Sequence, residues 1–211
     1  VYRRQAATRV CHQGDHLTPT SPDSQVLIAL CNNRSMKQYS LEDFLSITIA
    51  FAPSFNADGT KLIYRSNATG TAQIYLTDVA QDTSKQLTDY SHRIHAAVFS
   101  PTDPDAVLFV MDDGGDENYQ LHLLNVVTGE TTPLTNNPKV KHGFGGWSPD
   151  GTSVAYGSNE RDGRYMDPCV IDIKTGKSRR VADADGTFDV AGFSSNGTYV
   201  DIYKHTAITS N

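Results

Sequence analysis

An acidic segment near the middle of the chain has the residue types most able to do chemistry. The stretch MDDGGDEN, residues 111–118, places four carboxylates around two glycines, at Asp112, Asp113, Asp116 and Glu117. Carboxylate oxygens suit calcium, although the spacing does not match that of an EF-hand loop. A carboxylate pair can also hold an ammonium group through charge-assisted hydrogen bonds. The alternative is a solvated hairpin loop rich in turn-forming residues.

Histidine and cysteine side chains give weaker indications of a metal site. His92 and His95, in the stretch HRIH, could place two imidazoles near each other, but the sequence supplies no evident third ligand. The three cysteines, Cys11, Cys31 and Cys169, are widely spaced and include no C-x-x-C pair, which argues against a disulfide framework and against a zinc site. We therefore predict no metal and no cofactor.

A serine nucleophile is the remaining chemistry to consider. An α/β-hydrolase needs the motif Gly-x-Ser-x-Gly, because the strained turn around its nucleophile tolerates only small neighbours. The nearest approach is GFSSN, residues 192–196, which lacks the second glycine. Ser148, in GGWSPDG, belongs to a Pro-Asp-Gly turn, so we expect it to be structural. We predict that no residue of this chain is catalytic.

Charge and hydropathy exclude two classes of partner. The net charge is −6 and the 18 Lys and Arg residues are scattered, which argues against a nucleic-acid surface. No stretch approaches the roughly 18 consecutive apolar residues that a membrane span needs. We expect neither nucleic acid nor a membrane as partner. No export signal is visible. A cytoplasmic location is favoured, with a periplasmic or secreted one as the alternative.

Internal repeats show which elements must position these residues. Aromatic residues followed by turns recur at spacings of 44, 48 and 46, and a second apolar position recurs every 47 residues. The aromatic positions are Phe55, Phe99, Trp147 and Phe193, and the apolar ones are Leu87, Leu134 and Val181. Within each unit, four short strands alternate with turns that contain Asp-Gly or Thr-Gly pairs. We expect each aromatic to pack between neighbouring units.

A period of about 46 residues with four antiparallel strands is typical of one propeller blade. We predict an all-β fold, a partial β-propeller of about three to four four-stranded blades over residues 39–211. Ser40 and Asp43 in YSLEDFLSI resemble a capping box, which predicts a short helix over 40–47. Residues 1–38 form an N-terminal extension of uncertain structure, with one possible strand at 26–31.

These stretches resemble the N-terminal propeller of prolyl-oligopeptidase-type serine peptidases, in the branch of acylaminoacyl and dipeptidyl peptidases. The resemblance covers residues 39–205 and rests on YSLEDFL, on APSFNADGTKLIYRSNATGTAQIYLTD and, most specifically, on GGDENYQLHLL. Turns of the SPDG kind are less specific, since they also occur in propellers of the Tol system. In that peptidase family the propeller caps an α/β-hydrolase domain and limits access to small peptides. That domain is missing from this sequence.

The resemblance implies a role for two residues and for the chain. Asp116 and Glu117 would bind the amino terminus of a peptide, by analogy with related peptidases whose propellers present carboxylates to the substrate amine. The chain would be the substrate-gating portion of a serine peptidase, inactive alone, with the peptide entering through the missing hydrolase domain. The alternative is a stand-alone propeller scaffold that binds a protein partner. In either case an open blade edge could allow self-association.

Overall fold

The computed structural model describes residues 39–206. The chain divides into two compact units, Val1–Ile47 and Thr48–Asn211. The possible strand at 26–31 and the rest of the extension 1–38 lie outside the described residues. Among the residues described, no helix is long and apolar enough to cross a membrane.

The first unit contributes one described element, the helix α1 at Leu41–Leu45. The predicted capping box is confirmed: the Ser40 hydroxyl accepts the Asp43 N–H at 3.1 Å, and Asp43 Oδ2 accepts the Ser40 N–H at 2.8 Å. These bonds satisfy two of the N–H groups that a helix start leaves without intrahelical partners. The helix ends earlier than the predicted 47, with Ser46 as its C-cap.

The second unit consists of consecutive antiparallel sheets, as the repeat predicts. Blade 1 has the strand order β1-β2-β3-β4, blade 2 β5-β6-β7-β8, blade 3 β9-β10-β11-β12, and the described part of blade 4 pairs β13 with β14. The strands are β1 (Ala50–Phe55), β2 (Lys61–Ser66), β3 (Gln73–Asp78), β4 (Thr83–Gln86), β5 (Ile94–Phe99), β6 (Ala106–Met111), β7 (Gln120–Asn125), β8 (Thr131–Pro133), β9 (His142–Trp147), β10 (Ser153–Ser158), β11 (Asp167–Asp172), β12 (Ser178–Arg180), β13 (Phe188–Phe193) and β14 (Val200–Lys204). The fold is an all-β propeller architecture of consecutive antiparallel sheets.

Both sets of repeating positions are structurally equivalent. Each aromatic position is the last residue of the first strand of its blade. The apolar positions each donate a backbone hydrogen bond of 2.8 Å to the third strand of the same blade, Leu87 to Ile74, Leu134 to Leu121 and Val181 to Pro168. The sequence period therefore reflects a repeated hydrogen bond. In each blade, the connection to the next blade begins by bonding to the third strand.

The apolar core lies between blades. One buried cluster joins Ile63 and Ile74 of blade 1 to Phe99 and Phe109 of blade 2, and a second joins blade 2 to blade 3. Phe99 is 3% exposed, and the Trp147 indole donates to the carbonyl of residue 98 at 3.4 Å. The expected interblade packing is thus confirmed for Phe99 and Trp147. Burial of each such side chain stabilises the fold by about 1.5–3 kcal/mol. The expectation is wrong for Phe55, which is 60% exposed because no described blade precedes blade 1.

Ser148 serves the turn between β9 and β10. Its hydroxyl donates to Asp150 Oδ1 at 2.6 Å and accepts the Ser153 N–H at 2.9 Å, while Gly151 has the left-handed φ of 69° that the turn requires. The structural role expected of Ser148 is therefore confirmed. Ser194 makes the same two kinds of bond in blade 4, to Asn196 and from the backbone of residue 199.

Candidate functional site

The acidic segment forms the hairpin between β6 and β7, which we call the acidic hairpin, residues 112–119. Antiparallel strands alternate in direction, so this hairpin lies at the same end of the sheet as the connections that enter and leave blade 2, residues 87–93 and 134–141. The hairpin reverses tightly because Gly114, Gly115 and Glu117 have left-handed φ values of 66°, 85° and 61°. For glutamate that conformation is unfavourable, so a neighbouring contact must hold it.

Asp112 supplies that contact. Its side chain is almost fully buried, Oδ1 lies 3.0 Å from His95 Nε2, and Oδ2 accepts the Glu117 N–H at 3.1 Å. The carboxylate therefore joins the first strand of blade 2 to the far side of the hairpin. Asp112 fixes the backbone position of Glu117.

The two histidines that could have shared a metal instead pair with separate carboxylates. His92 Nε2 lies 3.0 Å from Asp113 Oδ1, and its Nδ1 accepts the Gly114 N–H at 3.0 Å. His95 pairs with Asp112 as described above. Within residues 39–206, no three His, Cys, Asp or Glu side chains converge on a point where they could hold a metal ion. The imidazoles and carboxylates here hold the hairpin in shape.

Asp116 and Glu117, the predicted ligand pair, have different surroundings. Asp116 accepts the Asn118 N–H at 2.9 Å and its side-chain amide at 3.1 Å, and these bonds, the backbone one foremost, lower the pKa of Asp116. Glu117 Oε2 instead accepts a hydrogen bond from Lys141 Nζ at 3.1 Å. The two carboxylates therefore have different hydrogen-bond partners, Asn118 for Asp116 and Lys141 for Glu117.

An open cavity of about 460 Å³ lies beside the hairpin. His92, Arg93 and His95 line one side, and the hairpin lines the other with Asp112, Glu117 and Tyr119. The Tyr119 ring packs against the His95 ring at a centroid distance of 4.6 Å. Asp116 is outside this lining. The cavity thus offers a ligand an exposed carboxylate, an aromatic ring and a guanidinium group.

Blade 3 holds a charged cluster that the sequence reasoning missed. In the equivalent hairpin, residues 159–166, Arg161 makes two bonds to the buried Asp167, at 2.7 and 3.1 Å, and one to Asp185 at 2.9 Å. Arg180 Nη1 lies 3.7 Å from Asp167 Oδ2. Hydrogen bonds to Asp167 and Asp185 raise the pKa of Arg161 further above its usual value. The cluster is neutralised within itself, so it joins segments rather than presenting free charge.

Three of the described nucleophiles have structural surroundings. Ser148 and Ser194 belong to blade turns. Cys169 is buried, and burial raises the pKa of its thiol to about 11, which keeps the sulfur protonated and unreactive near neutral pH.

Comparison with known proteins identifies the family. The TolB beta propeller domain matches residues 10–210. The chain belongs to the TolB beta propeller domain family. Dipeptidyl aminopeptidase BIII of Pseudoxanthomonas mexicana is 30% identical over 123 residues, which is 57% of this chain and 16% of that enzyme.

Two solved structures illustrate the likeness in fold. TolB from Acinetobacter baumannii superposes with a TM-score of 0.58 at 22% identity, covering 77% of this chain and 39% of TolB. Acylaminoacyl peptidase of Pyrococcus horikoshii gives a TM-score of 0.55 at 16% identity, covering 74% of this chain and 28% of the peptidase. The chain thus spans well under half the length of each of these relatives. The predicted resemblance to peptidase propellers is confirmed, as is the partial-propeller fold.

Proposed function

We propose that this chain is the substrate-gating propeller of a prolyl-oligopeptidase-type serine peptidase, and that its acidic hairpin binds the amino terminus of a peptide. One observation carries the proposal: Glu117 lies at the edge of the cavity in a chain related to a dipeptidyl aminopeptidase. The nucleophile would be supplied by an α/β-hydrolase segment outside these residues.

The chemistry of the hairpin fits a primary ammonium group. The Glu117 side chain is 68% exposed, so a ligand can reach it, while the Asp112 bond keeps its backbone in place. An ammonium donates charge-assisted hydrogen bonds, which are roughly twice as strong as neutral ones. An N-acylated peptide has no cation to offer. Glu117 is therefore the main ligand in this proposal, and Asp116, already bonded to Asn118, contributes less.

The first test concerns the gene and the isolated chain. The reading frame that encodes the chain is expected to continue into a segment with Gly-x-Ser-x-Gly, and a fluorophosphonate probe is expected to leave the 211-residue chain unlabelled. A frame without that motif would favour the scaffold alternative. Stoichiometric labelling of any serine within the chain would overturn the assignment of the nucleophile to another segment.

The second test measures substrate preference in the protein that includes the hydrolase segment. Glu117→Gln should raise KM for dipeptide substrates with a free amino terminus about fivefold to tenfold, since one charge-assisted hydrogen bond is lost. N-acylated substrates should be unaffected. Asp116→Asn should have the smaller effect. Glu130→Gln is the matched control, because Glu130 is exposed in the turn at the opposite end of blade 2. Equal effects of Glu117→Gln on both substrate types would refute the ammonium site.

A further inference from the structure

The proposed ammonium site already contains an ammonium group, which belongs to the chain itself. Lys141 Nζ lies 3.1 Å from Glu117 Oε2 and 5.5 Å from the centroid of the Tyr119 ring. A carboxylate together with an aromatic face is the combination that attracts an alkylammonium, through a charge-assisted hydrogen bond and a cation–π contact. The structure therefore shows that Glu117 and Tyr119 can accommodate such a group.

Lys141 is anchored at its backbone and partly exposed at its side chain. Its N–H donates to Asn159 Oδ1 at 2.8 Å, directly before strand β9 begins, so the Cα position is set by blade 3. The side chain is 41% exposed and that of Glu117 is 68% exposed. Exposed ion pairs contribute little, because water screens the charges and two long side chains lose rotamer freedom. The pair is therefore weak enough for an incoming ammonium to displace.

We propose that Lys141 is an internal competitor, which occupies the ammonium site until a ligand amino group displaces it. This inference rests on the proposed function and adds the regulation of the same site. When Lys141 leaves, its charge moves into solvent and Glu117 accepts the ligand instead. The ligand then gains the difference between its own contact with Glu117 and the weaker exposed pair that Lys141 makes, so Lys141 weakens binding and sets a threshold that the rest of the peptide must overcome.

The alternative role for Lys141 predicts the opposite result. A lysine that contacted the ligand directly, for example at a peptide carbonyl, would strengthen binding, and its removal would weaken it. Replacement of the ammonium by an uncharged group of similar length distinguishes the two roles. Lys141→Met retains an unbranched apolar side chain and removes the charge.

The test measures equilibrium binding of two probes to the 211-residue chain by titration followed by NMR. The probes are glycyl-phenylalanine amide, which has a free amino group, and its N-acetylated form. Lys141→Met and Lys141→Gln should each lower the Kd for the free-amine probe about twofold to fivefold, the range expected for an exposed ion pair. Binding of the acetylated probe should not change. Lys139→Met, in the same connection, is the matched control and should leave both Kd values as they are.

Glu117→Gln separates the competitor role from the site itself. If Glu117→Gln binds the free-amine probe more weakly, the ammonium site is supported. If Lys141→Met then binds that probe as the parent does or more weakly, the competitor role of Lys141 is refuted. No preference for the free amine in any of the proteins would overturn both. Tighter binding in Lys141→Met that disappears when Glu117→Gln is added would support both, because the competitor can act only through that carboxylate.

Discussion

Blades 2 and 3 place hairpins of different character at the same topological position. The hairpin of blade 2, residues 112–119, has four carboxylates and no Lys or Arg, whereas that of blade 3, residues 159–166, has two arginines and two carboxylates. The connections that leave the two blades complement them: 134–141 carries two lysines and 181–187 carries two aspartates. The repeat thus determines that the hairpin and the outgoing connection of each blade lie side by side. The charged residues that link them differ between blades 2 and 3.

The same contrast recurs at the first residue of the third strand. Gln120 of blade 2 donates to the carbonyls of residues 137 and 140, both at 2.9 Å, and accepts the residue 137 N–H at 3.2 Å. Gln73 of blade 1 binds its own connection in the same way. The carboxylate side chain of Asp167 in blade 3 has no N–H to donate, so Arg161 supplies the donors and reaches Asp185 in the connection. An ion pair has replaced an amide at an equivalent position.

The largest expected effect comes from breaking that ion pair. Asp167→Ala should lower the free energy of unfolding by about 2–3 kcal/mol, because it removes the two charge-assisted hydrogen bonds that Arg161 donates to a buried carboxylate. Gln120→Ala should cost about 1–2 kcal/mol, since it removes neutral hydrogen bonds. Urea denaturation of the two variants and the parent measures both values. A larger loss of unfolding free energy in Gln120→Ala than in Asp167→Ala would show that the ion pair of blade 3 is not the stronger of the two contacts.

The elements were predictable from the sequence, while the joints between them were not. Phe99 and Trp147 recur because each blade repeats its strands, so a period of about 46 residues was sufficient to place them. The bonds from Asp112 to His95 and from Glu117 to Lys141 join positions 17 and 24 residues apart on neighbouring segments, which only the folded chain brings together. An alignment of the repeats would have placed Asp167 at the position of Gln73 and Gln120. It would therefore have indicated that a carboxylate takes the place of an amide in blade 3.

The second prediction compares one turn in two settings. Gly151 and Gly59 occupy equivalent turns with φ values of 69° and 72°. A Cβ on Gly151 would collide with the Thr102 side chain of blade 2, whereas a Cβ on Gly59 would meet nothing within 4 Å. Gly59→Ala should therefore cost about 1 kcal/mol for the left-handed backbone alone, and Gly151→Ala about 2 kcal/mol.

Denaturation of the two variants tests the difference, and Thr102→Ala identifies its cause. In the double variant, Thr102→Ala should remove the steric part of the loss in unfolding free energy caused by Gly151→Ala. After correction for Thr102→Ala alone, the remaining loss should be similar to that of Gly59→Ala. If Gly59→Ala and Gly151→Ala lower the free energy of unfolding equally, the Thr102 side chain moves away from the new methyl group without loss of stability.

The third prediction concerns acid, to which the buried histidines and the arginine cluster should respond differently. Burial lowers the pKa of His122, on the third strand of blade 2, and that of His142, which begins the first strand of blade 3 and hydrogen-bonds to the Tyr119 carbonyl of the acidic hairpin. A depressed folded pKa means that the unfolded state binds more protons as the pH falls below about 6.5. The stability is therefore complete above that value and decreases as the pH approaches the folded pKa values. Arg161 of blade 3, whose pKa is raised, stays charged throughout.

Thermal unfolding at pH 7.5 and pH 5 measures this response with little contribution from carboxylates. Turn carboxylates such as Asp150 and Asp172 have pKa values lowered below 3.8 by hydrogen bonds, so they remain ionised at both pH values.

We expect Tm to be a few degrees lower at pH 5. His122→Phe should reduce the difference, since the ring that stacks on Phe109 at 4.9 Å would no longer titrate. Asp167→Ala should lower Tm by a similar amount at both pH values, because its partner Arg161, whose pKa is raised, is charged at both. If His122→Phe left the difference unchanged while Asp167→Ala abolished it, the acid sensitivity would belong to the ion-paired joint of blade 3 and not to the buried imidazoles.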